Sequence, residues 1–198
     1  VNEEQAWVLQ AQNGSDEAFT QIVETYQTPV YNLCYRMLGE AAAAEDAAQE
    51  TFLRAYQHLH RYDNQRPFAT WLLSIAAHYC IDRLRRRTLP LFSVDEDEEN
   101  AFEIPDAQAP HPEQEMVHSE QREQIHLLVS SLEAIDRAAI VMRYWYDFSE
   151  AEIAEALHLT VSAVKSRLHR ARKQLGRLWQ ESSTTARVER RVYESPAF

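Results

Sequence analysis

A chain of 198 residues is long enough for one or two small domains. A hydrophobic fraction of 45% supports packed cores, and with only three glycines and seven prolines the composition favours long helices over a turn-rich β protein. The net charge of −11 argues globally against a nucleic-acid partner. An interface, however, feels charge only within about 8 Å at physiological salt, so the local distribution decides.

The first segment, to about Arg87, reads as helical throughout. Gly14 is placed to end a short opening helix and Ser15 to cap the next, with Asp16 and Glu17 in its first turn. Phe19, Ile22, Val23, Tyr26, Val30, Leu33, Cys34, Met37 and Leu38 then recur at steps of three and four, which makes one apolar stripe. Pro29 lies inside that stripe and predicts a kink or break near Thr28. Gly39 ends it. A third helix is expected over 44–60, with Ala48, Phe52, Ala55, Tyr56 and Leu59 inward. On its opposite side Asp46, Gln49 and Glu50 stand at i, i+3 and i+4, a polar patch that by itself reads as a solvated face. A fourth helix is expected over 68–87, with Phe68, Trp71, Leu72, Ile75, Ala76, Tyr79 and Ile81 apolar and Arg83, Arg85, Arg86 and Arg87 at its end. Such cations suit phosphate, and they equally suit a helix C-terminus. Cys34 and Cys80 are too few and too far apart for a zinc module or a disulfide framework, and read as small buried hydrophobes.

The character changes over residues 88–115. Pro90, Pro105, Pro110 and Pro112 occur there with Asp95, Glu96, Asp97, Glu98, Glu99, Glu103 and Asp106, and without Lys or Arg. This composition reads as a flexible acidic linker, and much of the negative charge sits in it. Helical periodicity resumes near Val117: Ile125, Leu128, Val129, Leu132 and Ile135 form a stripe, and Ala139, Ile140, Met142, Arg143 and Tyr146 continue after a break near Asp136.

Ser149 and Glu152 have capping-box spacing and mark a helix start, with Ile153, Ala154 and Leu157 inward. His158, Leu159 and Thr160 make a turn, and Thr160 suits the N-cap of the next helix. Val164, Leu168, Ala171, Leu175 and Leu178 lie on one face of that helix; Lys165, Ser166, Arg167, His169, Arg170, Arg172 and Lys173 lie on the other. No acidic residue occurs from Val161 to Gln180. A short helix, a tight turn and a densely basic helix suit major-groove insertion. Residues 181–198 read as a polar tail.

Three stretches then resemble one family, in order and in spacing. They are Glu45 to Tyr56 (EDAAQETFLRAY), Arg66 to Arg87 with Phe68, Thr70, Trp71, Leu72, Ile75 and Ala76, and the helix-turn-helix with its lead-in, Leu132 to Leu175. The chain resembles an extracytoplasmic-function (ECF) sigma factor, the small promoter-recognition subunit of bacterial RNA polymerase. The resemblance spans about Asp16 to Trp179. It implies an all-α fold of two small helical domains: a clamp-binding and promoter-melting domain over 1–87, and a helix-turn-helix domain over 116–180.

It also implies roles. Asp46, Gln49 and Glu50, with Arg54 added, would grip the β′ clamp helices of core polymerase. The fourth helix and the loop before it, about His60 to Arg66, would melt the −10 element and hold a flipped base, through Arg61, Arg66, His78, Arg83, Arg85, Arg86 and Arg87. Ala69 and His78 depart from the common pattern, where Arg and Asn are frequent, and bear on the −10 preference. Lys165, Ser166, Arg167, His169, Arg170 and Lys173 would approach the −35 element. Implied partners are core RNA polymerase through its β′ clamp helices and β flap, and promoter DNA; an anti-sigma factor is a further candidate.

A stand-alone helix-turn-helix regulator is the main alternative, but the N-terminal segment shows neither β/α alternation nor a phosphoacceptor pocket. A protein-binding adaptor has no use for the basic helix. An enzyme is not expected, since no nucleophile and base pair is visible, nor a cofactor or metal motif. No apolar run approaches the roughly 20 residues of a membrane span, so a cytoplasmic protein is expected.

Overall fold

The structure, a computed structural model, describes residues 3–88 and 124–193, the side chains of 88 and 182–193 excepted. The N-terminal half holds α1 (Glu3–Gln12), α2 (Asp16–Leu38), α3 (Ala41–His58), a 3-10 turn (Leu59–Arg61) and α4 (Phe68–Thr88). The C-terminal half holds α5 (residues 124–130), α6 (Ala134–Trp145), α7 (Glu150–Ala156) and α8 (Val161–Tyr193). No strand occurs among the described residues. Most of the acidic stretch, and the end of the tail, lie outside them.

Local chemistry sets several of the helix ends. The Ser15 side chain accepts from the Ala18 amide and starts α2. Gly39, at φ 84°, donates its amide to the Tyr35 carbonyl and ends it, a left-handed cap that suits glycine. The break expected at Pro29 does not occur: α2 runs through it. One lost backbone hydrogen bond is outweighed there because Tyr26 and Val30 on either side are buried. The break near Asp136 falls earlier, before Ala134, so Asp136 sits in the first turn of α6. The expected polar tail is helical to Tyr193, consistent with a run free of Gly and Pro until Pro196.

α2, α3 and α4 pack around Ile22, Leu33, Met37, Leu72 and Leu73, all buried. Cys34 and Cys80 are buried here as free thiols. Tyr56, expected inward, is exposed: its ring meets Phe19 edge-on and its hydroxyl donates to Asp16 Oδ1 at 2.8 Å. In the C-terminal half, Val141, Met142, Ile153, Val164 and Leu168 are buried in the same continuous core.

The two halves are in contact. α6 packs on α2 and α4, and α7 packs on α4. Arg137, buried on α6, donates to the Met37 carbonyl at the end of α2 and to the Ser130 carbonyl at the end of α5. The Tyr146 hydroxyl donates to the Pro29 carbonyl at 2.6 Å. Arg36 stands over the Trp145 ring at 5.2 Å, and burial lowers its pKa. Periodicity finds the apolar stripe of α6 but not which surface covers it.

Candidate promoter and polymerase surfaces

α3 presents the first surface. Ala43, Ala44, Ala47, Ala48, Thr51 and Ala55 turn inward, which leaves Asp46 and Gln49 exposed and Glu50 and Arg54 half-buried. Glu50 Oε1 accepts from Arg54 Nε at 2.7 Å, and the Arg54 guanidinium lies 4.9 Å above the Tyr79 ring. Arg83 reaches Asp46 at 3.7 Å. The structure thus brings these four residues together on one side of the N-terminal half. Leu53 and Tyr56 are exposed beside them. Sequence periodicity assigned Tyr56 to the core and so missed that this face is partly apolar.

The loop before α4 is held from three sides. The Gln12 amide donates to the carbonyls of Leu59 (3.0 Å) and Tyr62 (2.9 Å), and its oxygen accepts from Asn64 at 2.7 Å. The Tyr62 hydroxyl donates to the Arg66 carbonyl. Tyr62, Phe68 and Trp71 form an aromatic cluster with centroids 5.1 to 5.5 Å apart, which places Trp71 in the packing. The anchoring by Gln12, 47 or more residues away, carries no sequence signal.

The expected −10 residues do not form one cluster. Arg61 is exposed and pairs with the adjacent His60 ring. Arg66 meets Asp63 at 3.6 Å and Glu155 of α7. His78 Nδ1 donates to the Ser74 carbonyl at 2.8 Å, while its ring packs against His158 at 4.9 Å between centroids. His158 is the turn residue of the helix-turn-helix, at φ 54°. Arg85, Arg86 and Arg87 are exposed at the end of α4, Arg87 within 4.0 Å of Glu40. In this arrangement Arg66 and His78 therefore touch the C-terminal half.

The helix-turn-helix forms as its capping chemistry predicts. Ser149 Oγ accepts from the Glu152 amide at 3.2 Å, and Glu152 Oε2 accepts from the Ser149 amide at 2.8 Å. The Ser149 hydroxyl also donates to Glu152 Oε2 at 2.6 Å, and this bond, with that from the Ser149 amide, holds the Glu152 carboxyl below the usual carboxylate range. Thr160 Oγ1 accepts from the Ala163 amide at 3.2 Å and opens α8. Val164, Leu168 and Ala171 are buried against α6 and α7, so Lys165, Ser166, His169, Arg170 and Lys173 are exposed on the other side. Arg167 differs from them. It is turned toward α6, where its Nη1 lies 2.6 Å from Asp136 Oδ1.

Among the described residues no group of three or more His, Cys, Asp or Glu is placed to hold a metal. No helix there is long and apolar enough to cross a membrane.

The comparisons with known proteins agree across both halves. The family model Sigma-70 region 2 matches residues 22–89, and that of Sigma-70 region 4 matches residues 122–175. The ECF RNA polymerase sigma factor SigW of Bacillus subtilis is 36% identical over 173 residues, covering 85% of this chain and 92% of that protein. The RNA polymerase sigma-H factor of Pseudomonas aeruginosa is 30% identical, covering 90% and 94%. The ECF RNA polymerase sigma-E factor of Escherichia coli is 32% identical, covering 86% and 91%. The solved structure of CnrH in complex with the cytosolic domain of CnrY shares the fold, with a TM-score of 0.67 at 23% identity over 91% of this chain and 99% of that one. A stand-alone regulator would not carry the region 2 match. The chain belongs to the ECF RNA polymerase sigma factors.

Proposed function

We propose a division of labour between the halves of this sigma factor. The domain over 1–87 binds core polymerase and opens the −10 element; that over 116–180 reads the −35 duplex. The observation that carries this reading is the exposed basic face of α8 over residues 161–180, where no acidic residue occurs, presented behind a capped turn. Arg170 and Ser166 lie nearest base edges in such a docking, and Lys165, His169 and Lys173 meet phosphate. Asp46, Gln49, Glu50 and Arg54 engage the β′ clamp helices, with Leu53 and Tyr56 adding apolar contact. Arg61, Arg66, His78, Arg83, Arg85, Arg86 and Arg87 serve the −10 strand; Arg66 and His78 reach it once the C-terminal half moves off α4.

The β flap docks on the C-terminal half, where Leu128, Tyr144, Trp145, Leu175 and Trp179 line an open apolar groove of about 380 Å³. The solved structure of the sigma factor RpoE in complex with the anti-sigma factor NepR from Bartonella quintana, which shares the fold, supports a similar partner here. The chain acts in the cytoplasm and without catalysis of its own; the polymerase supplies the chemistry. The test is reconstitution with core RNA polymerase. Reversing charge at Asp46 and Glu50 together is expected to weaken core binding in a pull-down, and Arg170→Ala to lower run-off transcription. Undiminished core affinity in the reversed variant would exclude the clamp role.

A further inference from the structure

Arg167 stands apart from the basic residues around it. Lys165 also has a carboxylate near it, Glu150 at 3.6 Å, but it is 62% exposed, whereas Arg167 is 22% exposed and its partner Asp136 only 14%. Glu133 Oε2 lies 3.7 Å from the same Arg167 nitrogen. A guanidinium that faces two carboxylates and is also largely shielded from solvent offers little charge to phosphate, because a short charge-assisted bond must break first. Its carboxylate partner is itself firmly placed. Asp136 lies in the first turn of α6, where the helix dipole favours an anion. Arg137, the next residue, bonds to the Met37, Ser130 and Leu132 carbonyls and anchors that turn.

The seam between α8 and its neighbours is made by Val164, Leu168 and Ala171, which are apolar and small or branched. Such contacts set the separation of two helices but resist rotation about the axis weakly, since they have no direction. At a side-chain radius of about 6 Å, a 15° rotation moves a tip by roughly 1.6 Å. That displacement exceeds the tolerance of a hydrogen bond to a base edge. Directional bonds beside the seam are what hold the angle: the Gln174 amide donates to the Ser131 carbonyl at 3.3 Å, and nearer the N-terminus of α8 the Arg167–Asp136 pair does the same at 2.6 Å.

We infer that Arg167 is a positioning residue: its ion pair with Asp136 fixes the rotation of α8 about its axis, so that Ser166 and Arg170 face the −35 bases, and Arg167 itself does not touch DNA. This rests on the −35 reading of α8 above. Arg167 therefore acts through its neighbours, and Asp136, an acidic residue 31 positions earlier, becomes a determinant of promoter recognition.

The experiment uses holoenzyme reconstituted from the full chain and core RNA polymerase, with a promoter fragment that the wild-type holoenzyme recovers from random-sequence DNA. Binding is measured across a salt series for Arg167→Gln, Asp136→Asn, the double variant, and Arg170→Ala as the reference base contact. Each single change at the pair is expected to lose about tenfold in affinity, within the range of one lost base contact. The double variant is expected to lose no more than either single, as coupled residues do. The salt slope of Arg167→Gln is expected to stay at the wild-type value. The reversed pair, Arg167→Asp with Asp136→Arg, is expected to recover part of the loss. Binding to a fragment lacking the −35 block is expected to be unaffected, which separates positioning from a folding defect; loss there as well would overturn the inference. So would a slope reduced by about 0.9 in Arg167→Gln with unchanged affinity in Asp136→Asn, the signature of a phosphate contact. If Arg170→Ala is also silent, the −35 reading itself fails, and the inference with it.

Discussion

The Tyr146 hydroxyl donates to the Pro29 carbonyl oxygen at 2.6 Å, a bond between residues 117 positions apart that ties α2 to the end of α6. Burial pushes the Tyr146 phenol well above its ordinary range, so it remains a donor at any physiological pH. Tyr146→Phe keeps the ring and removes this one bond. The expected cost is about 1 kcal/mol, a typical net value for a hydrogen bond. For a chain of this size that lowers the thermal midpoint by roughly 2–4 °C. Calorimetry checks it; an unmoved midpoint would show that the halves part before either unfolds.

Arg137 makes the stronger link. Its guanidinium serves the Met37, Ser130 and Leu132 carbonyls from an almost fully buried position, while its Nε finds no acceptor. Burial lowers its pKa without displacing the charge at neutral pH. Arg137→Ala leaves those carbonyls without their donor and opens a cavity, at an expected cost of about 3 kcal/mol or more. Urea denaturation measures this directly. A loss below about 0.5 kcal/mol would place Arg137 with ordinary surface substitutions and refute the anchoring role.

The contrast between these residues and the helix caps explains what could be read from sequence. Ser15, Gly39 and the Ser149–Glu152 pair act on amides and carbonyls a few positions away, so spacing alone reveals them. The exposed set of α8 followed in the same way from the period of Val164, Leu168 and Ala171. Arg137 reads as one charge on an amphipathic helix, because its acceptors are backbone carbonyls that no residue pattern marks. Tyr56 fitted the apolar stripe of α3 and is exposed, its hydroxyl drawn to Asp16, 40 residues earlier. Arg167 is indistinguishable in sequence from Arg170; only the fold brings Asp136 to it. Sequence thus reports local stops and faces, and the pairings across elements decide which charges remain available to a partner.

The capping box at Ser149 predicts a pH dependence with a definite sign. Hydrogen bonds from the Ser149 hydroxyl and amide hold the Glu152 carboxyl below its ordinary range. A group whose folded pKa is depressed contributes stability above its unfolded value, near 4.3, and loses it as pH falls through the folded value. Glu152→Gln removes the charge at every pH. The wild type is therefore expected to be more stable than Glu152→Gln at pH 7 by about 1 kcal/mol or less, the scale of one cap. The two should converge as the pH drops into the acid range. A difference that stays constant from pH 7 to acid would show that the charge of Glu152 plays no part.

The paired thiols give a chemical test of the N-terminal core. Cys34 and Cys80 are fully buried on α2 and α4, and hydrogen bonding between them, reinforced by burial, pushes the Cys80 thiol far above its ordinary range. The thiolate is the reactive form, so neither group should attack an aromatic disulfide reagent while the core is closed. Native protein is expected to release the chromophore about 100-fold more slowly than protein in strong denaturant, and both thiols at one common rate, since each waits for the same opening. Arg137→Ala tests where that opening lies. If the contact between Arg137 and the Met37 carbonyl secures the end of α2, the variant should react faster at both cysteines together. Acceleration at Cys80 alone would instead locate the weak point in α4 and not at the end of α2.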